Sequence, residues 1–320
     1  MISSVGNCPL QIRRLLLAVG LCFLSITSLP VAAIERYEEA GIIAGYKYGT
    51  SMTIARDIQL VSALHGERVR LVSSKGGPEN IFAILEGKQS QLAMAEEYYL
   101  NYLQKQGNTK LENLRYVLPL HTSDLHIIAN KNITHVDQLQ GKTISIGLPA
   151  GSTYLVARNL FKSLGIEFKE VNLTPYAALD QVKKDQLDAM VYLSGAPVRL
   201  FEENIDPGDK LNLLEIPYSQ GNLSGLRNNT IKEGTYEWLR KDVNTKASRV
   251  LLMAYNFSPK SKEISRCVAA RRAYRSTLIN LDFLKNHGHS KWSEVAINMD
   301  DLINKRFPVN RYHCTWRNTF

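Results

Sequence analysis

Three segments of the 320-residue chain run from an apolar stretch into Gly, Ser or Thr and then directly into helix-period sequence. They are Gly49-Thr50-Ser51, Ser73-Ser74-Lys75-Gly76-Gly77-Pro78 and Pro149-Ala150-Gly151-Ser152-Thr153. This is the chemistry of anion capture. A helix start has unpaired backbone N–H groups and about half a positive charge, so it holds a carboxylate or phosphate without a basic side chain. One such loop is ordinarily a helix cap; three in register, from two parts of the chain, point to a ligand cleft. Glu96 and Glu97 follow a further apolar run and bring one carboxylate to the same region. A lone carboxylate reads as a polar ligand contact rather than a general base. The seven histidines form no HExxH, and GxSxG and Walker loops are absent. The expectation is a binding protein and not an enzyme, with no cofactor, no metal site and no catalytic residue. His287-Gly288-His289 reads as a solvated loop.

The elements that position these loops alternate strand and helix, the pattern of an α/β protein built on βαβ units. Residues 42–46, 69–73, 91–95 and 114–120 read as strands. Helices are expected over 53–65, from Pro78 to Gly87, and over 98–105. A second series follows, with strands at 125–130, 142–147, 168–173 and 187–193. Its helices fall at 135–140, 153–164 (stopped by Gly165), 177–184 and 197–203. In open α/β sheets ligands sit beyond the carboxyl ends of the strands, where all three loops lie. The last hundred residues read as mostly helical: from Thr235, through Lys260 to Leu284, and Asp300 to Lys305. They read as too polar and too short of strands for a third sheet and are expected to pack back on the first lobe.

Composition agrees with a globular chain of two domains, at 44% hydrophobic and 22% charged residues. Arg13 and Arg14 precede an apolar run from Leu15 to about Leu29 and then Val31-Ala32-Ala33, which reads as a signal peptide over residues 1–33. The run falls short of the roughly 20 residues that span a bilayer. A soluble periplasmic protein, cleaved after about Ala33, is expected. Without that segment 37 basic and 30 acidic residues remain, a net charge of +7, concentrated in residues 221–320. There Arg266, Arg271, Arg272 and Arg275 fall at helical spacing and read as the solvated face of an amphipathic helix, with no nucleic-acid partner. Cys267 and Cys314 remain, and in an oxidising compartment a bridge between them would contribute about 4 kcal/mol.

Particular motifs carry a family resemblance. SSKGGPEN (Ser73 to Asn80), Ile84-Leu85-Glu86-Gly87 and Leu92-Ala93-Met94-Ala95 resemble the first lobe of TAXI-type solute receptors of TRAP transporters. His135 to Gly147, Ala150-Gly151-Ser152-Thr153, Leu187 to Met190 and Leu193-Ser194-Gly195-Ala196-Pro197 resemble the second. Glu96 stands where that family tends to have Gln, and a carboxylate there would repel an acidic group beside it and attract an amine, so the expected ligand is anionic or zwitterionic, an amino acid included. The resemblance implies a two-lobe type II periplasmic binding protein with mixed, mostly parallel sheets, helices on both faces and a cleft between lobes. Lobe 1 would comprise 34–122 and 219–320 and lobe 2 123–218, joined by strands crossing near Leu120 to Asn130 and Leu213 to Tyr218. It implies a receptor that captures a small carboxylate-bearing ligand (dicarboxylate, 2-oxo acid or acidic amino acid) by hinge closure. A TRAP-type permease would receive the ligand. Gly151, Ser152 and Thr153 would hold the carboxylate, Thr50, Ser51, Gly76 and Gly77 would close from the other lobe, and Glu96, Tyr176, Ser194 and Gly195 would add polar contacts. A receptor for an ATP-driven phosphonate or sulfonate importer, or an exported ligand sensor, shares the same fold.

Overall fold

A computed structural model describes residues 38–86, 90–257 and 263–296, together with the short strand at 310–311. The expected signal peptide, the helix at Asp300 to Lys305, Gly87 and Cys314 lie outside the described residues. The strands are β1 (Ala40–Ile43), β2 (Val69–Val72), β3 (Leu92–Glu96), β4 (Leu114–Ala129), β5 (Thr143–Ser145), β6 (Lys169–Val171), β7 (Ala189–Ser194), β8 (Asn212–Leu213), β9 (Arg227–Ile231), β10 (Val243–Tyr255) and β11 (Asn310–Arg311). The helices are α1 (Thr50–Ala63), α2 (Gly77–Leu85), α3 (Glu97–Lys105), α4 (Ser152–Leu164), α5 (Pro175–Lys183), α6 (Arg199–Asn204), α7 (Ile264–Ile279) and α8 (Leu281–His287).

The strands form one sheet in the order β2-β1-β3-β10-β4-β7-β5-β6, with β8 and β11 beside β4 and β9 beside β10. Two halves repeat one plan. In each, three parallel strands lie second-first-third in chain order, β2-β1-β3 and β6-β5-β7. A long antiparallel strand closes each set, β10 against β3 and β4 against β7, and β4 and β10 pair with each other. This is the expected α/β class, with antiparallel pairing at its centre.

Alternation along the strands explains why helices cover both faces. On β3, Leu92 and Met94 join a core with Ile54 and Ile58 of α1 and Ala270 and Ala273 of α7, while Ala93 and Ala95 face Ile81, Ile84 and Leu100 of α2 and α3. On β7, Val191 and Leu193 pack with α4, and Met190 and Tyr192 pack with α5 and α6. With both faces covered, β3 and β7 are buried at every position. Gly165 ends α4 in the left-handed conformation at φ 69°, as its type suggests.

Several expectations are corrected. The strands read at 114–120 and 125–130 are one 16-residue strand, β4. Thr235 starts no helix, and the segment read as helical holds β9 and the 13-residue β10 instead. Near Leu213 only Asn212–Leu213 are strand, paired with the end of β4, and it is β10 that pairs with β4 over most of its length. On α7, Arg266 and Arg272 are not a free solvated face: they pair with Glu38 and Glu67 at 3.8 and 3.6 Å. His289 is a structural cap, its ring nitrogen accepting the Lys291 N–H and its own N–H bonding Asp57.

Candidate functional site

All three loops singled out in the sequence follow parallel strands and open helices. The β1–α1 loop ends at Gly49, the N-cap of α1, whose carbonyl accepts the Met52 and Thr53 N–H groups. The β2–α2 loop ends at Gly76, and Pro78 lies in the first turn, where its missing N–H costs nothing. Asn80 anchors this loop, its buried amide donating to the carbonyls of Ala44 and Met94, each at 2.6 Å. The β5–α4 loop ends at Gly151, N-cap of α4. None of the three caps uses a side chain, so the helix starts keep their backbone donors open to a partner from outside.

The loops of the two halves meet. The Gly77 N–H donates to Ser152 Oγ at 2.7 Å, and Ser152 Oγ donates to Glu96 Oε2 at 2.5 Å. Thr50 donates its N–H to Ser194 Oγ at 3.2 Å and its hydroxyl to the Gly195 carbonyl at 2.6 Å. Gly76 is required twice over: its φ is 124°, and a Cβ there would stand 2.6 Å from Ser152 Oγ. Between the loops remains a cavity of about 30 Å³ lined by Tyr46, Gly49, Ser51, Lys75, Gly76, Glu96, Ser152, Thr153, Tyr192 and Ser194. That is room for one or two ordered waters.

Electrostatically the site is dominated by Glu96. Burial raises its pKa above the ordinary 4.5, against smaller opposing effects from the Ser152 hydroxyl and backbone donors, Gly77 among them. Burial also pushes the Tyr46 phenol up to about 12 and the Tyr192 phenol higher still. The Tyr46 hydroxyl has no hydrogen-bond partner. Ser51 Oγ lies 3.4 Å from Nε2 of the buried His121. Burial, reinforced by Lys291, His289 and Arg249, holds that imidazole neutral, and its Nδ1 has no partner. No carboxylate orients it, so the pair lacks the third member that activates a serine nucleophile. Among the described residues no group of three or more His, Cys, Asp or Glu side chains could hold a metal. The arrangement can bind and release a polar group.

Of the residues picked from sequence, Ser51, Gly76, Glu96, Ser152, Thr153 and Ser194 line the cavity, and Thr50, Gly77 and Gly195 form the contacts at its edge. Gly151 abuts the Lys75 carbonyl, which a Cβ would approach to 2.9 Å. The Thr153 hydroxyl is already committed, accepting the Leu193 N–H. Tyr176 is not brought in: it sits in the first turn of α5, 59% exposed, where Pro175 and the Thr174 cap turn it outward. The sequence reading missed Tyr46, Lys75 and Tyr192. Tyr192 could have been found, since it lies two residues before Ser194 on β7 and therefore shares its face. A larger cavity, about 320 Å³, lies beside Asp124, Asn229, Lys291 and Glu294. Its charges are already matched to one another, Lys291 bonding both Asp124 and Glu294.

Among solved structures, the periplasmic binding protein BugD is 12% identical, with 80% of this chain and 84% of that chain covered at a TM-score of 0.49. A TctC solute binding protein from Polaromonas is 15% identical over 77% and 87% of the two chains at 0.42. The alkanesulfonate-binding protein SsuA from Xanthomonas axonopodis pv. citri, bound to MOPS, is 14% identical over 84% and 90% at 0.43. The model of the NMT1-like family matches residues 44–263, which take in every strand from β2 to β10 and all three loops. The chain belongs to the NMT1-like family.

Proposed function

We propose that this protein is an extracytoplasmic solute receptor. It captures a small carboxylate-bearing ligand in the cleft between its halves and delivers it to a TRAP-type membrane permease, without turnover. The observation that carries the reading is the direct contact of two helix starts, Gly77 of α2 and Ser152 of α4, beside a narrow polar cavity lined from both halves. Parting of the halves would widen that cavity, and a ligand would then be held by donors from both, which is how binding shifts a hinge equilibrium. The lobes divide near residues 122 and 218, with β4 and β10 passing between them. Residues 1–33 direct export to the periplasm and are removed there. A Cys267–Cys314 bridge fits that compartment, and Cys267 is buried on α7.

Thermal shifts of the mature chain against dicarboxylates, 2-oxo acids, amino acids, phosphonates and sulfonates test the reading. A ligand at a hundred times its Kd stabilises by about 2.7 kcal/mol. A shift confined to carboxylates supports the proposal. A shift confined to sulfonates or phosphonates would reassign the receptor to an ATP-driven importer. No shift with any class would remove the receptor reading.

A further inference from the structure

The cleft already contains a carboxyl group of its own. The Glu96 carboxyl lies against the first residue of α2, where a Cβ on Gly77 would stand 2.4 Å from Oε2, and its Oε2 accepts a hydrogen bond from the Ser152 hydroxyl at the start of α4. These are the donors that a bound carboxylate would use. We propose that Glu96 is an internal occupant of the ligand's anion subsite, so that capture of a carboxylate is coupled to uptake of one proton by Glu96. The inference rests on the receptor reading above and concerns how that same site is regulated.

Physical reasoning leads from contact to coupling. Two carboxylates at one small buried site cannot both stay ionised without a cation between them. The groups facing Glu96 supply none that is buried. Lys75, from the β2–α2 loop, lines the cavity from an exposed position, and its backbone N–H is bonded to Glu79. Tyr46 and Tyr192, from the β1–α1 loop and from β7, are phenols that burial keeps neutral. Glu97, the next residue, directs its carboxylate to Arg227 at 2.7 Å. On the β10 side the residue opposite Glu96 is Val250. An incoming carboxylate therefore either fails to bind or drives a proton onto Glu96. Protonated Glu96 becomes a donor to the ligand, and the Ser152 hydroxyl is freed to be one as well.

The test uses succinate and 2-oxoglutarate as probes on the mature wild-type protein and on Glu96→Gln, with affinity measured calorimetrically from about pH 6 to about pH 8. In the wild type, affinity should rise by up to about tenfold for each pH unit lowered, with about one proton taken up per probe bound. Glu96→Gln, which keeps the side chain's size and removes its charge, should bind at least as tightly as wild type at the alkaline end and show no pH dependence. Wild-type binding that is independent of pH would overturn the inference and leave the receptor reading intact. So would loss of binding in Glu96→Gln at every pH. Failure of both probes with both proteins would overturn the carboxylate reading of the site and this inference with it. Ser152→Ala provides a second variant: it removes the shared donor and should weaken the probes while leaving the pH slope in place.

Discussion

Glu96 and Asp124 are both buried carboxylates, 7% and 1% exposed, but they are compensated differently. Asp124 accepts from Asn229 Nδ2 at 2.6 Å, from the Ala196 N–H at 2.9 Å and from the Lys291 ammonium at 3.0 Å. Lys291 in turn bonds Glu294 at 2.6 Å, and Glu294 accepts the Thr122 N–H. Every charge in that network has a charged or backbone partner. Glu96 has a hydroxyl and helix-start donors and, among the described residues, no ion pair. A fully matched buried network behaves as structure, because removing one member strands the others. An undermatched carboxylate in a cleft is the kind of group whose charge state a ligand can change. The network beside β4 fixes the Ala196 backbone, one residue from the Gly195 carbonyl that Thr50 grips. One region is thus built to hold still and the other to exchange partners.

Mutation should separate the two regions by size and by sign. Lys291→Met leaves the buried Asp124 and the half-buried Glu294 without their cation and should destabilise by about 3–5 kcal/mol in urea denaturation. A cost under about 1 kcal/mol would make the network a surface-like pair. Next in size is acid sensitivity at His126, whose two nitrogens face the Asp124 carbonyl and the Tyr236 hydroxyl. Burial depresses its pKa from 6.5 to about 4. Its contribution to stability is present above 6.5 and is lost as pH falls through about 4, roughly 3 kcal/mol in all. Denaturation midpoints measured down that range should fall, and His126→Phe should flatten the fall. A comparable effect, on function and not on folding, belongs to Ser152→Trp. The indole fills the cleft, so ligand-induced stabilisation of about 2.7 kcal/mol at a hundred times Kd should vanish while the fold persists.

Smallest, and opposite in sign to the first, is Glu96→Gln. Burial raises the Glu96 pKa, so ionised Glu96 opposes folding: its favourable contribution is complete below the ordinary 4.5 and is lost as pH rises through the raised value. Glu96→Gln should therefore be more stable than wild type at neutral pH, with the gain fading as the solution is acidified. Equal loss of stability at all pH values would mean that the carboxylate is a structural link like Asp124.

Sequence reading found the site's loops and the outer strands because there the chain obeys simple rules: apolar runs of four to six residues, glycine at the turn, helix period after it. It lost the middle of the sheet because buried polar residues imitate surface there. Thr122-Ser123-Asp124 looks like a turn, yet Ser123 and Asp124 are buried within β4. On β10, Thr245, Lys246 and Ser248 are fully buried, and each is satisfied by a specific bond. Thr245 donates to the Leu125 carbonyl, Lys246 donates to Tyr218, Asn222 and Asn228, and Ser248 accepts the Tyr98 N–H. No pattern of hydrophobicity reveals a strand whose interior is held by hydrogen bonds formed with residues distant in sequence. Tyr46 and Tyr192 were missed for the converse reason, since an aromatic beside a strand reads as core when only its hydroxyl reaches the cleft.

The central claim is that the Gly77–Ser152 contact closes over a ligand, and native mass spectrometry of the mature protein tests it most directly. One small acid bound per chain, absent from Ser152→Trp, is the predicted result. A chain with no bound mass after incubation with each carboxylate class, or a mass that persists in Ser152→Trp, would contradict it.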